Sequence, residues 1–280
     1  MISVTCFAGF FSEYLFARHY NEPVNSSVFV TSVLFALSLP PALPLWMAVV
    51  GIVFAVVFGK MVFGGFGKNV FNPALAGRAF IYITFAGYMT GVWSIPAQNI
   101  FEGFMIWQPD AVTSATVLAT GESVDKSFYI NAFTGMIPGS LGETSAFALL
   151  AGGVYLYWKK TASRTIIHST FLGMIILQSI LYYSGAGGAA DPLTSILAGG
   201  FLLGLFFMAT DPVSAPKKKE SQILYGFFIG TMTALIRTFS VWDGGMMFAI
   251  LLANMFAPIT DHGVAEFLKW KKERRGVVNE

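Results

Sequence analysis

A single cysteine, Cys6, stands in 280 residues, so the chain has no intrachain disulfide and no thiolate cluster of its own for zinc or iron–sulfur. Charge is scarce as well: Asp, Glu, Lys and Arg make up 11% of the residues, against roughly a quarter in an ordinary globular domain. The net charge of +2 is small and the basic residues are scattered through short loops, which excludes a nucleic-acid-binding face. Met1 to Ala17 lacks a charged n-region and a small-residue cleavage site, so no cleavable signal peptide is expected. The three histidines, His19, His168 and His262, lie far apart without metal-ligand spacing.

What is present is apolar: 55% hydrophobic residues, 28 of them Phe, and a mean hydropathy of +0.65. This composition describes an all-α polytopic membrane protein, a single integral membrane domain over residues 1–280. A spanning helix needs ~17–25 apolar residues. Such runs occur at 43–63, 70–93, 144–158, 166–184, 193–209, 223–239 and 245–262, with a Glu13-interrupted segment at 1–17 and a short one at 28–39 ended by Pro40, Pro41 and Pro44. Eight to nine membrane segments are therefore expected.

Lys and Arg in short loops stay on the cytoplasmic side. Arg18, Lys60, Lys68, the group Lys159, Lys160 and Arg164, the run Lys217 to Lys219 and the tail Lys269 to Arg275 fall in alternate gaps, so all can be cytoplasmic at once. The opposite gaps, 40–44, 94–143, 185–192 and 240–244, hold Asp191 and Asp243 but only Lys126 as a loop cation. The long polar loop 94–143 thus faces outward. It carries DAVTSAT at 110–116, with Asp110, Thr113, Ser114 and Thr116 close together. Polar loops of this length in an apolar chain are functional or disordered more often than not.

Ionisable groups inside spans are functional candidates, weighed against structural pairing. Arg78, Arg237, Glu13, Asp211 and Asp261 qualify. Asp211 and Asp261 end spans on the cytoplasmic side, where surface solvation explains them as well as cation binding does. Arg237 near an outer helix end can snorkel. Glu13 either bonds a neighbouring helix or serves transport. FNPALAGRAF at 71–80 and ATDPVSAP at 209–216 each place an Asx-Pro at a helix boundary, which reads as a routine helix end or as a pair of discontinuous helices from an internal repeat. FGGFGKN at 63–69 is not a phosphate-binding loop: Val62 stands where the first Gly belongs and Asn69 where Ser or Thr would bind magnesium.

Taken together, GKNVFNPALAGRAF at 67–80, DAVTSAT at 110–116, GSLGETSAFALLAGG at 139–153, FMATDPVSAP at 207–216, YGFFIGTMTALIRTF at 225–239 and GMMFAILLANMFAPITDH at 245–262 resemble the B subunits of bacterial sodium-translocating NADH:quinone oxidoreductases. A more distant likeness is to the D subunits of Rnf ferredoxin:NAD oxidoreductases. The resemblance runs from about Gly9 to Lys272. It implies an inverted-repeat ten-helix bundle of which this chain lacks the N-terminal helices, in the bacterial inner membrane.

It further implies FMN joined through its phosphate to Thr116, with Asp110 and Ser114 in the attachment signature. A noncovalent riboflavin is implied near Asn69 and Asn72, and ubiquinone and Na+ contacts around Gly9 and Glu13, where Phe10 replaces a usual second glycine. Asp211 and Asp261 join them as candidate sodium carboxylates. Electrons would reach FMN from an FMN-bearing partner and pass through riboflavin to ubiquinone, driving sodium export. The implied partners are the other subunits of a six-subunit pump, including an FMN-bearing C-type and an FAD/iron–sulfur F-type subunit. Two alternatives stand beside this reading: an Rnf-type D subunit, and a passive channel or transporter with broken helices.

Overall fold

The computed structural model describes residues 1–90, 125–240 and 245–274. Those residues are helical without strands. The first group of helices is α1 (Ile2–Tyr20), α2 (Ser27–Leu37), α3 (Leu45–Gly59), a 3-10 turn at Met61–Phe63, α4 (Pro73–Thr84) and α5 (Ala86–Thr90). The second is α6 (Lys126–Thr134), α7 (Ala146–Trp158), α8 (Arg164–Tyr183), α9 (Pro192–Leu197), α10 (Phe201–Leu203), a π-helix at Gly204–Met208, α11 (Lys219–Phe239) and α12 (Gly245–Arg274). Leu45–Phe63, Arg164–Tyr183 and Gly245–Arg274 are long and apolar enough to cross a bilayer.

Apolar runs alone do not fix how these helices pack, because lipid tails are as apolar as leucine; small residues that let backbones approach do. Gly77 of α4 rests on α3, where an added Cβ would stand 2.8 Å from the Gly51 carbonyl and 2.7 Å from Ala55 Cβ. Gly226 and Gly230 of α11, four residues apart, lie against the backbone of α8 at Ile166, Thr170 and Met174, and Gly173 of α8 answers against Phe227. On the outside, Phe7, Trp158 and Tyr183 are 74%, 73% and 84% exposed, a surface that a bilayer or partner subunits must cover.

The short α2 ends before Pro40 and Pro41, as their lack of a donor and their clash with a preceding α conformation require. Its terminal carbonyls do not face water. Gly142 N–H donates to Leu37 O at 2.7 Å and Leu141 N–H to Leu39 O at 3.1 Å, so the GSLGE segment closes this helix end.

Four expectations change. The run 193–209 is not one helix: it breaks at 198–200, where Gly199 and Gly200 have φ of 66° and 69°, and continues as α10 and the π-helix. The run 70–93 turns at Phe85, between α4 and α5. The loop 94–143 contains α6, capped by Asp125. Asp261 does not end a helix, because α12 passes through Pro258 and continues to Arg274.

Candidate functional site

Asn72 sets the start of α4. Its Oδ1 accepts the Ala74 and Leu75 amides at 3.0 and 3.3 Å, with Pro73 as the first helical residue, a position where its missing N–H costs nothing. Its Nδ2 donates across to Met208 O of the π-helix at 3.4 Å, tying the two halves of the chain together. Farther along α4, Arg78 Nη1 donates to Glu143 Oε1 at 3.1 Å, and Ser140 donates to Glu143 Oε2 at 2.5 Å. Gly200 lies directly against this carboxylate; any Cβ there would overlap it.

On the other side of the break, Arg237 from the last turn of α11 donates to Ser195 O at 2.6 Å and to Gly199 O. Ser195 is in the last turn of α9 and Gly199 lies two residues beyond its end, so both carbonyls fall where the interrupted helix leaves them without intrahelical partners. The guanidinium's planar fork supplies two donors at once. Arg78, Glu143, Gly200, Gly204, Met208 and Met246 border a cavity with room for about one water.

A second buried pair lies in the first group of helices. Lys60 Nζ is 2.6 Å from Glu13 Oε2, the two side chains being 2% and 3% exposed. Lys60 also donates to Ser27 Oγ at 2.8 Å, and the Asn25 amide donates to Glu13 Oε1 at 3.1 Å. Thus the partners of Glu13 lie at helix ends, in the loop before α2 and just after α3, not on a neighbouring helix, and Lys60 is turned inward, not out into the loop where charge counting placed it. The signal was available: an acid in an apolar run needs a partner, and Lys60 follows the next long run.

Asp211 folds onto its own turn, its carboxylate accepting the Val213 amide at 3.1 Å and the Ser214 hydroxyl at 2.8 Å. Asp261 reaches from α12 to the start of α11, where its oxygens accept the Lys217 and Lys218 amides at 2.8 and 3.2 Å. Gly9 is a packing point: a Cβ there would meet Ser32 Oγ of α2 and stand 3.2 Å from Ile52 of α3. Phe10 stacks on Tyr14 and Phe29, making a partly exposed aromatic face beside it.

The structure brings Asn72 beside the 208–211 turn, whereas no hydrogen bond or ion pair among the described residues joins Glu13 to Asp211 or Asp261. Sequence reading missed Asp191. Its carboxylate accepts the Leu193 and Thr194 amides ahead of Pro192, the same cap that Asn72 makes before Pro73, so Asp191-Pro192 is the closer match to Asn72-Pro73 than the 209–216 segment is. Tyr129 of α6 also donates to Asp191.

Asn69 and Asn72 suit a helix entrance better than a flavin cradle. Asn69 donates to Phe71 O at 2.9 Å, both amide acceptances of Asn72 are spent on α4, and a ring bonded to its Nδ2 would compete with Met208 O. Thr116, Asp110 and Ser114 lie outside the described residues.

Known proteins are similar to this chain over nearly its whole length. The chain is 44% identical over 277 residues to a protein of Ectopseudomonas mendocina named as the B subunit of Na(+)-translocating NADH-quinone reductase, covering 94% of this chain and 66% of the relative. A protein of the same name from Neisseria meningitidis serogroup B is 41% identical over 95% of this chain and 66% of its own length, and one from Chromohalobacter salexigens is 43% identical over 92% and 63%. The chain therefore spans just under two thirds of the length of these relatives. The model of the NQR2, RnfD, RnfE family matches residues 1–267, a span that takes in every motif from GKNVFNPALAGRAF to GMMFAILLANMFAPITDH, and this chain belongs to that family.

Proposed function

We propose that this chain is the membrane subunit of a redox-driven sodium pump, with FMN held covalently at Thr116, riboflavin as a second flavin, ubiquinone as electron acceptor and Na+ as the exported ion. The observation that carries this reading is the 44% identity, over 94% of the chain, to a protein named as such a subunit. Bound flavins would supply the electron transfer; this chain's residues supply attachment and position. The Thr116 hydroxyl has the chemistry that a phosphoester needs, with Asp110 and Ser114 in the same sequence signature. No step is assigned through riboflavin, because Asn69 and Asn72 are committed to the entrance of α4.

In this reading residues 1–280 form one integral membrane domain, part of an inverted-repeat ten-helix bundle in the bacterial inner membrane, with loop 94–143 on the periplasmic side. The matched caps at Asn72-Pro73 and Asp191-Pro192 support an internal repeat. C-type and F-type partner subunits deliver electrons. Glu13 and Asp211 contact the ion, and Gly9 and Phe10 border quinone. Asp261 is the weakest of the sodium carboxylates, since both its oxygens already hold the Lys217 and Lys218 amides just before α11.

In-gel fluorescence after denaturation tests the flavin. A covalent flavin should be present in the wild type and in Thr120→Ala and absent from Thr116→Ala; fluorescence retained in the Thr116 variant would overturn the attachment. The family also takes in Rnf-type subunits. Quinone reduction by the assembled complex favours the pump, and its absence with ferredoxin-dependent NAD reduction favours the Rnf type.

A further inference from the structure

We propose that Lys60 is a tethered counter-cation that holds the place of a sodium ion at Glu13, so that the carboxylate accepts the ion only when the ammonium withdraws. The proposal rests on the sodium-pump reading and adds to it the residue that would decide when this carboxylate is open.

The Lys60 ammonium sits among oxygen donors: Glu13 Oε2 at 2.6 Å and Ser27 Oγ at 2.8 Å, with Glu13 Oε1 fixed by the Asn25 amide at 3.1 Å. A carboxylate and a hydroxyl are also the donor types that suit a hard cation. Neither charged side chain is more than 3% exposed, so withdrawal of the ammonium alone would strand a buried carboxylate, a costly state inside a membrane protein. Replacement by one monovalent cation restores the balance of charge; a divalent ion would leave an excess.

The surroundings of Lys60 give the ammonium somewhere to go. Lys60 is the residue just after α3, followed by the 3-10 turn and by Gly64, Gly65 and Gly67, all at positive φ. This glycine run, which phosphate-loop chemistry does not explain, presents the exposed ring of Phe66 with its centroid 5.8 Å from Lys60 Nζ. An aromatic face attracts an ammonium. The ring already touches the ammonium in the ion-paired state, and the lysine's flexible stem would let the charge shift toward it on leaving the carboxylate, a movement that the planar fork of an arginine would not match.

The test uses the assembled complex containing the full-length subunit and compares wild type, Lys60→Met and the double variant Glu13→Gln/Lys60→Met. Thermal midpoints are measured across tenfold steps of sodium chloride, with choline chloride holding ionic strength, and sodium-22 retention is measured after rapid desalting. A cation bound only by the folded state raises its midpoint with concentration. Lys60→Met should gain such a sodium-dependent rise and one retained ion over wild type; the double variant should show neither.

A Lys60→Met midpoint indifferent to sodium, an equal response in the double variant, or an equal response to potassium overturns the proposal. So does failure of Lys60→Met to assemble in saturating sodium when the double variant assembles. Wild-type quinone reduction that does not respond to sodium counts against the pump reading alone, because these binding measurements need no turnover.

Discussion

Removing one member of the Arg78–Glu143 pair leaves the other charge buried without its ionic partner, whereas removing both leaves only lost packing. Arg78→Met or Glu143→Gln alone should therefore cost about 3–5 kcal/mol, and the double variant much less than their sum. Denaturant unfolding of the four forms measures this as a coupling energy. Asp261 calls for the opposite comparison, between a structural and an ionic role. Because its carboxylate receives the first amides before α11, Asp261→Ala should lower stability by about 0.5–2 kcal/mol, as loss of a helix cap does, with the sodium dependence of quinone reduction unchanged. A raised sodium requirement at unchanged stability would assign Asp261 to the ion instead.

At this scale the sequence was readable where one residue implies another. Glu13 in an apolar run demanded a partner, but Lys60 after an apolar run looks the same whether it points outward or in. Asp191 was passed over because a carboxylate in a short gap between apolar runs has an easy explanation in solvation. The attachment proposed at Thr116 rests on its motif alone.

Among the elements, close backbone approach is the main device, and it makes glycines unequal. Gly230 lies against the backbone of Thr170, Gly173 and Met174, none of which can move aside as a flexible side chain would. Gly230→Ala should destabilise by about 1–3 kcal/mol through overpacking of α8 against α11. Gly263 in α12 has open space where its Cβ would be, so Gly263→Ala should stabilise by about 0.5–1 kcal/mol through helix propensity. Thermal unfolding of the two variants in opposite directions is the check.

Helix existence was legible from apolar runs, and the end of α2 from its prolines. The interruption of 193–209 was not, since no proline or charge marks it. Gly199 and Gly200 are the only local sign, and glycine pairs are common in membrane helices for packing alone. What fixes the break is remote: the Arg237 fork on its carbonyls and the Glu143 carboxylate against Gly200.

For the whole molecule, composition made the membrane class plain, and alternation of loop cations gave a sidedness that a chemical experiment settles. With Cys6→Ser as background, a cysteine at Ser123 should react with an impermeant thiol reagent in intact spheroplasts. Labelling only after disruption would reverse the orientation. Joining of the two groups of helices was beyond sequence reading, because it depends on Asn72 meeting Met208 and Arg78 meeting Glu143 across 136 and 65 residues.

The Asn72 contact falls on the π-helix Gly204–Met208, whose wider turn holds more residues than an α turn of the same height. Were the same residues wound as an α-helix instead, the surplus residue would turn everything beyond it by about 100° about the helix axis. Thr210 and Asp211 would then face different neighbours with not one of their own atoms altered. The wider turn thus absorbs a surplus residue and keeps the chain's second half in phase with its first, so a one-codon deletion there should be borne far better than one in a neighbouring α-helix.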